Sequence, residues 1–379
     1  MTFHATEENL RFTSKIPQDF ADFPIKNLTF AKSNGMPADN LIGNPERCPD
    51  SRAKIREKPE NLSHKMKISS TLYNVAIAAA ILAGTLFTGT PAVSAADVAS
   101  ESNNVSAHAA TEGVALGVRF HNLAADTTRI TNILIEECKQ QNAGNIVRIA
   151  EQLIGTPYGA ATLDGHPHEP EMLTVNLDSL DCTTFVETVL ALAATADHYR
   201  RSWRDFTYYL GDLRYRGGHN KGYGSRLHYA SEWIVDNSAR GNLREVTADV
   251  DGARHNVKTL DFMSAHRDLY PALADSLNFD AIRRAESGYS NHRYPVVKAG
   301  QAKDKRLMSV VRNGDVVLFT TSAKGLDVSH MGIVKIVDGR PRLIHASSSA
   351  GKVILDPLTI PEYIARHRAE GIRLVRLVK

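Results

Sequence analysis

Leu180-Asp181-Cys182-Thr183-Thr184-Phe185-Val186-Glu187-Thr188-Val189-Leu190 is the stretch from which the rest of the fold can be read. At helical period, Phe185, Val186, Val189, Leu190 and Ala193 make one apolar face, so a buried helix starts near Asp181 and runs to about Ala196. Cys182 then sits in the first turn. There, unpaired N–H groups and the positive end of the helix dipole favour a thiolate over a thiol. A helix with a buried face also holds its first residue still, as a nucleophile requires. Position alone does not separate such a nucleophile from a small buried hydrophobe, the commoner role of a free cysteine.

Downstream the pattern turns to strands. Gly314 to Thr320, His330 to Val337, Arg342 to Ala346, Lys352 to Leu355 and Gly371 to Leu377 each read as a strand, with Asp338-Gly339 as a hairpin turn. Upstream, Thr127 to Lys139 and Asn145 to Leu153 predict two helices, and Ser202 to Leu210 and Ser231 to Asp236 two more. Short strands fit Leu243–Val250 and Asn256–Leu260 within an otherwise mixed stretch, 240–310. Helices first and an antiparallel sheet after them make an α+β fold with one catalytic domain, residues 127–379.

The chain has 379 residues and a formal net charge of +3, too mild to argue for nucleic acid. Lys65 and Lys67, a short apolar run from Val75 to Ala83, and the small residues Val93 and Ala95 read as a secretory signal peptide over 66–95. Cleavage after Ala95 gives an exported protein without stable membrane insertion, since the run is too short and too interrupted to span a bilayer. Residues 1–65 read as an untranslated or disordered extension, and 96–126 as a linker. Only Cys138 and Cys182 survive such cleavage. A nucleophilic Cys182 has to stay reduced, which leaves Cys138 as a packing residue.

His330 opens one strand and His345 lies on the next. Cross-strand neighbours in an antiparallel pair are about 5 Å apart, so the two imidazoles can meet. If the helix of Cys182 packs across this sheet, its first turn can reach them. Nucleophile, base and orienting third group follow as Cys182, His330 and His345, with Asp327 or Asp356 as alternatives for the third. With 15 histidines in the chain, either one alone carries little weight; the order of all three residues carries more. His166-Pro167-His168-Glu169-Pro170-Glu171 reads as a stiff solvated loop, and neither C-x-x-C nor H-x-x-x-H spacing occurs. No metal and no cofactor are expected. Arg214 to Tyr229 mixes arginine, tyrosine and histidine with glycines and suits hydrogen bonding to a polar ligand such as a sugar, or equally a solvated loop.

These motifs, in order, resemble the NlpC-type branch of papain-like cell-wall cysteine peptidases. They are Gly155-Thr156-Pro157-Tyr158, Asp181-Cys182-Thr183, Gly314 to Phe319, Ser329-His330-Met331-Gly332-Ile333 and Ile344-His345-Ala346-Ser347. Leu180 to Leu192, Tyr223 to Trp233 and Gly325 to Gly332 resemble more closely its N-acetylmuramoyl-L-alanine amidase-like family. The resemblance implies a papain-like fold with the nucleophile at a helix start, Cys182 as nucleophile, His330 as base and His345 as its orienting residue. It implies substrate contacts from Tyr158, Asp181, Thr183 and Ser329, and from Arg226, His228 and Tyr229 a hold on the sugar. Thr183-Thr184 replace the Ser-Gly usual after the cysteine, and Gly159-Ala160-Ala161 replace the usual Trp-Gly-Gly, so endopeptidase specificity does not carry over.

The expected activity is hydrolysis of the amide between N-acetylmuramic acid, in its 1,6-anhydro form, and L-alanine of muropeptides. The setting implied is the periplasm of a Gram-negative bacterium, and the protein a monomer. The alternatives are a γ-D-glutamyl–diamino acid endopeptidase and a non-catalytic wall-binding protein of the same fold. A thiol acyltransferase ranks below both.

Overall fold

The computed structural model describes residues 112–164 and 169–378. The expected signal peptide, residues 1–65 and most of the linker lie outside the described residues, as do His166, Pro167 and His168 of the His/Glu loop.

The linker gives way to structure before Thr127. Strands β1 (Gly113–Ala115) and β2 (Val118–Phe120) form an antiparallel pair, and β2 runs parallel to β3 (Leu173–Val175). Val118 and Phe120 are buried, and that burial ties the segment to the domain. Helices α1 (Leu123–Cys138) and α2 (Ile146–Gln152) follow, each capped by an asparagine side chain, Asn122 and Asn145. Next come β3, α3 (Cys182–Asp197), α4 (Trp203–Arg214) and α5 (Ala230–Ala239).

The main sheet is antiparallel and wider than the five strands read from the C-terminal sequence. To β7 (Val316–Thr320), β8 (Val328–Val337), β9 (Arg340–Ser347), β10 (Lys352–Thr359) and β11 (Gly371–Leu377) it adds three more. These are β4 (Leu243–Glu245), β5 (Arg254–Lys258) and β6 (His292–Lys298). The order is β10-β9-β8-β7-β11-β6-β5, with β4 also paired to β11. At the β8–β9 turn Asp338 and Gly339 both take positive φ, 50° and 71°, as a two-residue hairpin turn of the primed kind demands.

Both faces of the sheet centre are covered, which is why β7 reads as an unbroken apolar run. Val316, Leu318, Met331, Ile333 and Ile344 join a core with Phe185, Val186, Val189 and Leu190 of α3. Val317, Phe319, Val334 and Leu343 face the other way, into a second core with Ile360, Tyr363 and Ile364 of α6 (Ile360–His367). Helix α3 packs on β8 and β9, the two strands that carry the histidines.

Candidate active site

Asp181 caps α3. Its Oδ1 accepts hydrogen bonds from the Thr184 backbone N–H (2.7 Å) and hydroxyl (2.8 Å), while its own N–H donates to Thr184 Oγ1 (2.9 Å). This reciprocal box satisfies donors that a helix start leaves orphaned, and it accounts for Thr184 where a glycine is usual. Cys182 is the first helical residue, buried and not in a disulfide. Cys138 is likewise a free, buried thiol, with its Sγ 3.4 Å from the Arg200 carbonyl oxygen.

Backbone pairing carries the start of α3 to one end of the sheet. Leu180 N–H donates to Pro157 O and Gly159 N–H to Leu180 O. Tyr158 N–H donates to Gly351 O and Gly155 N–H to Val353 O. Val353 pairs with Ala346 of β9, next to His345. That end of the sheet holds both histidines.

His330 Nε2 lies 2.7 Å from His345 Nδ1, and His345 Nε2 lies 3.1 Å from Asp356 Oδ2. The two rings stand nearly perpendicular, and Tyr363 stacks near His330 while meeting His345 edge-on. His345 is fully buried and His330 partly exposed. Desolvation chiefly, with electrostatic coupling to the neighbouring imidazoles of His345 and His367, holds the His330 pKa well below 6.5. Burial works against the Asp356 carboxylate, but hydrogen bonds from His345 and the Leu358 N–H outweigh it and lower its pKa.

His330 pairs across from Phe319, so its ring projects to the Tyr363 side while α3 covers the opposite face. Ser329 is the extra residue of a β-bulge there, since Phe319 pairs with His330 and Thr320 with Val328.

Of the alternatives for the third group, Asp327 is removed by its surroundings. It is buried at the start of α5, where its Oδ2 accepts the Ser231 N–H at 2.6 Å. The residue at that helix's own cap, Tyr229, supplies no side-chain hydrogen bond, and Asp327 takes its place. Asp356 is the carboxylate that meets the histidines.

The expected substrate residues divide. Tyr158 lies beside the helix start, and its buried hydroxyl has no hydrogen-bond partner among the described residues. The same holds for Thr183 Oγ1, and Thr183 and Asp181 line a cavity of about 40 Å³. Burial pushes the Asp181 pKa up to about 6, with its Thr184 hydrogen bonds opposing. Arg226 and His228 line the same cavity. Arg226 is spent on its neighbours: Nε donates to His228 Nε2 (2.8 Å), Nη1 to Leu163 O (3.2 Å) and Nη2 to Asp164 Oδ1 (2.9 Å). It divides this cavity from an outer cleft of about 480 Å³ lined by Arg119, Asn220, Lys221 and Tyr223.

Tyr229 departs from the expected contact with the sugar. It has no exposed surface, and its hydroxyl donates to Glu286 Oε1 (3.1 Å) and accepts the Met263 N–H (3.3 Å). It is a core residue and not a ligand contact. Tyr363 was not foreseen, although Thr359-Ile360-Pro361-Glu362 spells a capping box with proline in the first turn, the signature of a helix start.

Among the described residues no cluster of three or more His, Cys, Asp or Glu is placed to hold a metal ion. A partly exposed imidazole backed by a second imidazole and a carboxylate is suited to moving a proton. A helix-start cysteine at the same end of the sheet adds a nucleophile of the kind acyl transfer uses. Residues 148–372 match the model of the N-acetylmuramoyl-L-alanine amidase-like family, and the chain belongs to that family.

An N-acetylmuramoyl-L-alanine amidase from Bacteroides uniformis is 32% identical, with a TM-score of 0.59, covering 62% of this chain and all of its own. A candidate xylanase from Bacteroides fragilis is 34% identical, with a TM-score of 0.57, covering 61% of this chain and all of its own. A Legionella pneumophila protein is 21% identical, with a TM-score of 0.53 over 68% of this chain and 96% of its own, a likeness of fold alone. A search of curated proteins gave no match.

Proposed function

We propose that this protein is a cysteine-dependent amidase that cuts the bond between the lactyl group of N-acetylmuramic acid and L-alanine in peptidoglycan fragments. The observation that carries this is the His330–His345–Asp356 chain at the sheet end to which the start of α3, and with it Cys182, is tied. Family membership points the same way. So does the amidase from Bacteroides uniformis, whereas the xylanase name attached to another neighbour finds no support in this site: glycoside hydrolysis ordinarily needs two carboxylates flanking the bond.

In this reading the Cys182 proton passes to His330 Nδ1 and the thiolate attacks the lactyl carbonyl. The Cys182 N–H, in the first turn of the helix where backbone donors and the dipole favour negative charge, helps hold the oxyanion. The C–N bond breaks as His330 returns the proton to the leaving amine of L-alanine. Water, deprotonated by His330, then hydrolyses the thioester and regenerates the thiol. The unpartnered hydroxyls of Tyr158 and Thr183 supply polar contacts to the peptide. The outer cleft beyond Arg226 supplies room for a sugar, the anhydro form included.

We further read the fold as papain-like of the NlpC type, and the reading of 66–95 as a signal peptide supports action in the periplasm, as a monomer. Among the described residues no helix is long and apolar enough to cross a membrane.

Mass spectrometry of products from an anhydro-muramyl tetrapeptide tests the bond. Free sugar with intact tetrapeptide is expected. A shortened muropeptide still carrying L-alanine would make the protein an endopeptidase instead.

A further inference from the structure

Asp356 stands behind His345 in a way that reaches through it to His330. Its two oxygens have different tasks. Oδ1 accepts the Leu358 backbone N–H at 2.8 Å, and Oδ2 faces His345 Nε2 at 3.1 Å. A carboxylate only accepts hydrogen bonds, so His345 Nε2 must carry the proton. In a neutral imidazole the other nitrogen is then a lone pair. His345 Nδ1 therefore accepts, and the contact at 2.7 Å is donated by His330 Nε2–H. The protonation site of His330 is decided two residues away.

We propose that Asp356 is a positioning residue that sets the tautomers of both imidazoles in series, leaving His330 Nδ1 as the lone pair that takes the proton. Tyr363 keeps the geometry from relaxing: its ring stands 5.9 Å from that of His330 and 5.5 Å from that of His345. The consequence for rate rests on the amidase reading; the tautomers do not.

The Leu358 N–H makes the test sharp. In Asp356→Asn the amide oxygen stays with that backbone donor, so the amide NH2 is turned towards His345 Nε2. His345 must then accept there and donate from Nδ1. His330 Nε2 becomes the acceptor, and its proton moves to Nδ1, where it blocks the base. Asp356→Ala offers neither donor nor acceptor and leaves the tautomers mixed. The near-isosteric change is thus expected to harm more than the truncation, the reverse of what a purely structural aspartate would give.

Nitrogen-15 shifts of labelled histidines, read on the Cys182→Ala background, should show Nε2–H on both His330 and His345, and Nδ1–H on both once Asp356→Asn is added. On the otherwise native chain, kcat/KM should fall by about 10²- to 10⁴-fold in Asp356→Asn and by less in Asp356→Ala. Unchanged tautomers in a folded Asp356→Asn protein would overturn the proposal. So would an alanine variant slower than the asparagine one. The shifts need no turnover, so they decide the relay even for a chain that proves inert towards muropeptides.

Discussion

His330 Nε2 and His345 Nδ1 lie 2.7 Å apart across two neighbouring strands, one imidazole partly exposed and the other fully buried. The buried ring has no route to a substrate, so its work is to hold the exposed one. The hairpin turn at Asp338-Gly339 sets the register of β8 against β9, and the bulge at Ser329 sets where β8 begins.

The surroundings of His330 make it a base well into acid. Desolvation chiefly, then electrostatic coupling to His345 and His367, depresses its pKa, and Asp356 and Tyr363 pack around the same pair. A lowered pKa keeps the ring neutral, and able to accept a proton, below pH 6.5. The acid limb of kcat/KM is therefore expected at a midpoint under 6.5. A pH–rate profile on the Asp181→Asn background checks this, because it removes a carboxyl whose pKa is raised to about 6. A midpoint at 6.5 or above would contradict it.

Asp181 gives the opposite sign. Its folded pKa, about 6, is above the ordinary 3.8 because the carboxyl is buried. The folded state thus binds that proton more tightly than the unfolded chain. Its stabilising effect is fully present below pH 3.8 and is lost as pH rises through 6. At 1.36 kcal/mol per unit the loss is about 3 kcal/mol. Asparagine caps a helix as well as aspartate, so Asp181→Asn should keep the fold without that slope. Denaturant unfolding from pH 4 to 7 reads the difference; parallel curves for the two proteins would refute it.

Gly332 allows β8 and β9 to approach beside the pair. A Cβ there would lie 2.8 Å from the Ile344 carbonyl oxygen and 2.9 Å from His345 Cβ. Backbone cannot step aside as a flexible side chain can. Gly332→Ala is expected to cost about 1–3 kcal/mol of stability by overpacking and to disturb the His345 ring. Thermal unfolding and activity of the folded fraction check both; a stability unchanged from the native protein would contradict the crowding.

Much of this was legible where burial imposes a period. Phe185, Val186, Val189 and Leu190 announce α3, and the paired Asp338-Gly339 announces its hairpin, because each local pattern agrees with its final packing. Strand β6 was lost in a mixed stretch: Pro295 argues against a central strand, and only pairing with β5 and β11 reveals it. Tyr229 looked like part of a ligand-binding run, but a tyrosine in such a run and a tyrosine in the core read alike until its hydroxyl partners are known. Asp356 stayed one of several carboxylates for a related reason. Its place follows from register, two residues beyond the Ile354 that pairs with His345, and register across strands is not written in either strand alone.

The central claim is that Cys182 carries the acyl group, and the most direct measurement compares the native chain with Cys182→Ala on an anhydro-muramyl tetrapeptide. Removing one buried sulfur should cost no more than about 1.5 kcal/mol of stability, so the variant is expected to fold. The account predicts free sugar and intact tetrapeptide from the native chain and no turnover from the variant. Residual hydrolysis of the same bond by folded Cys182→Ala would contradict it.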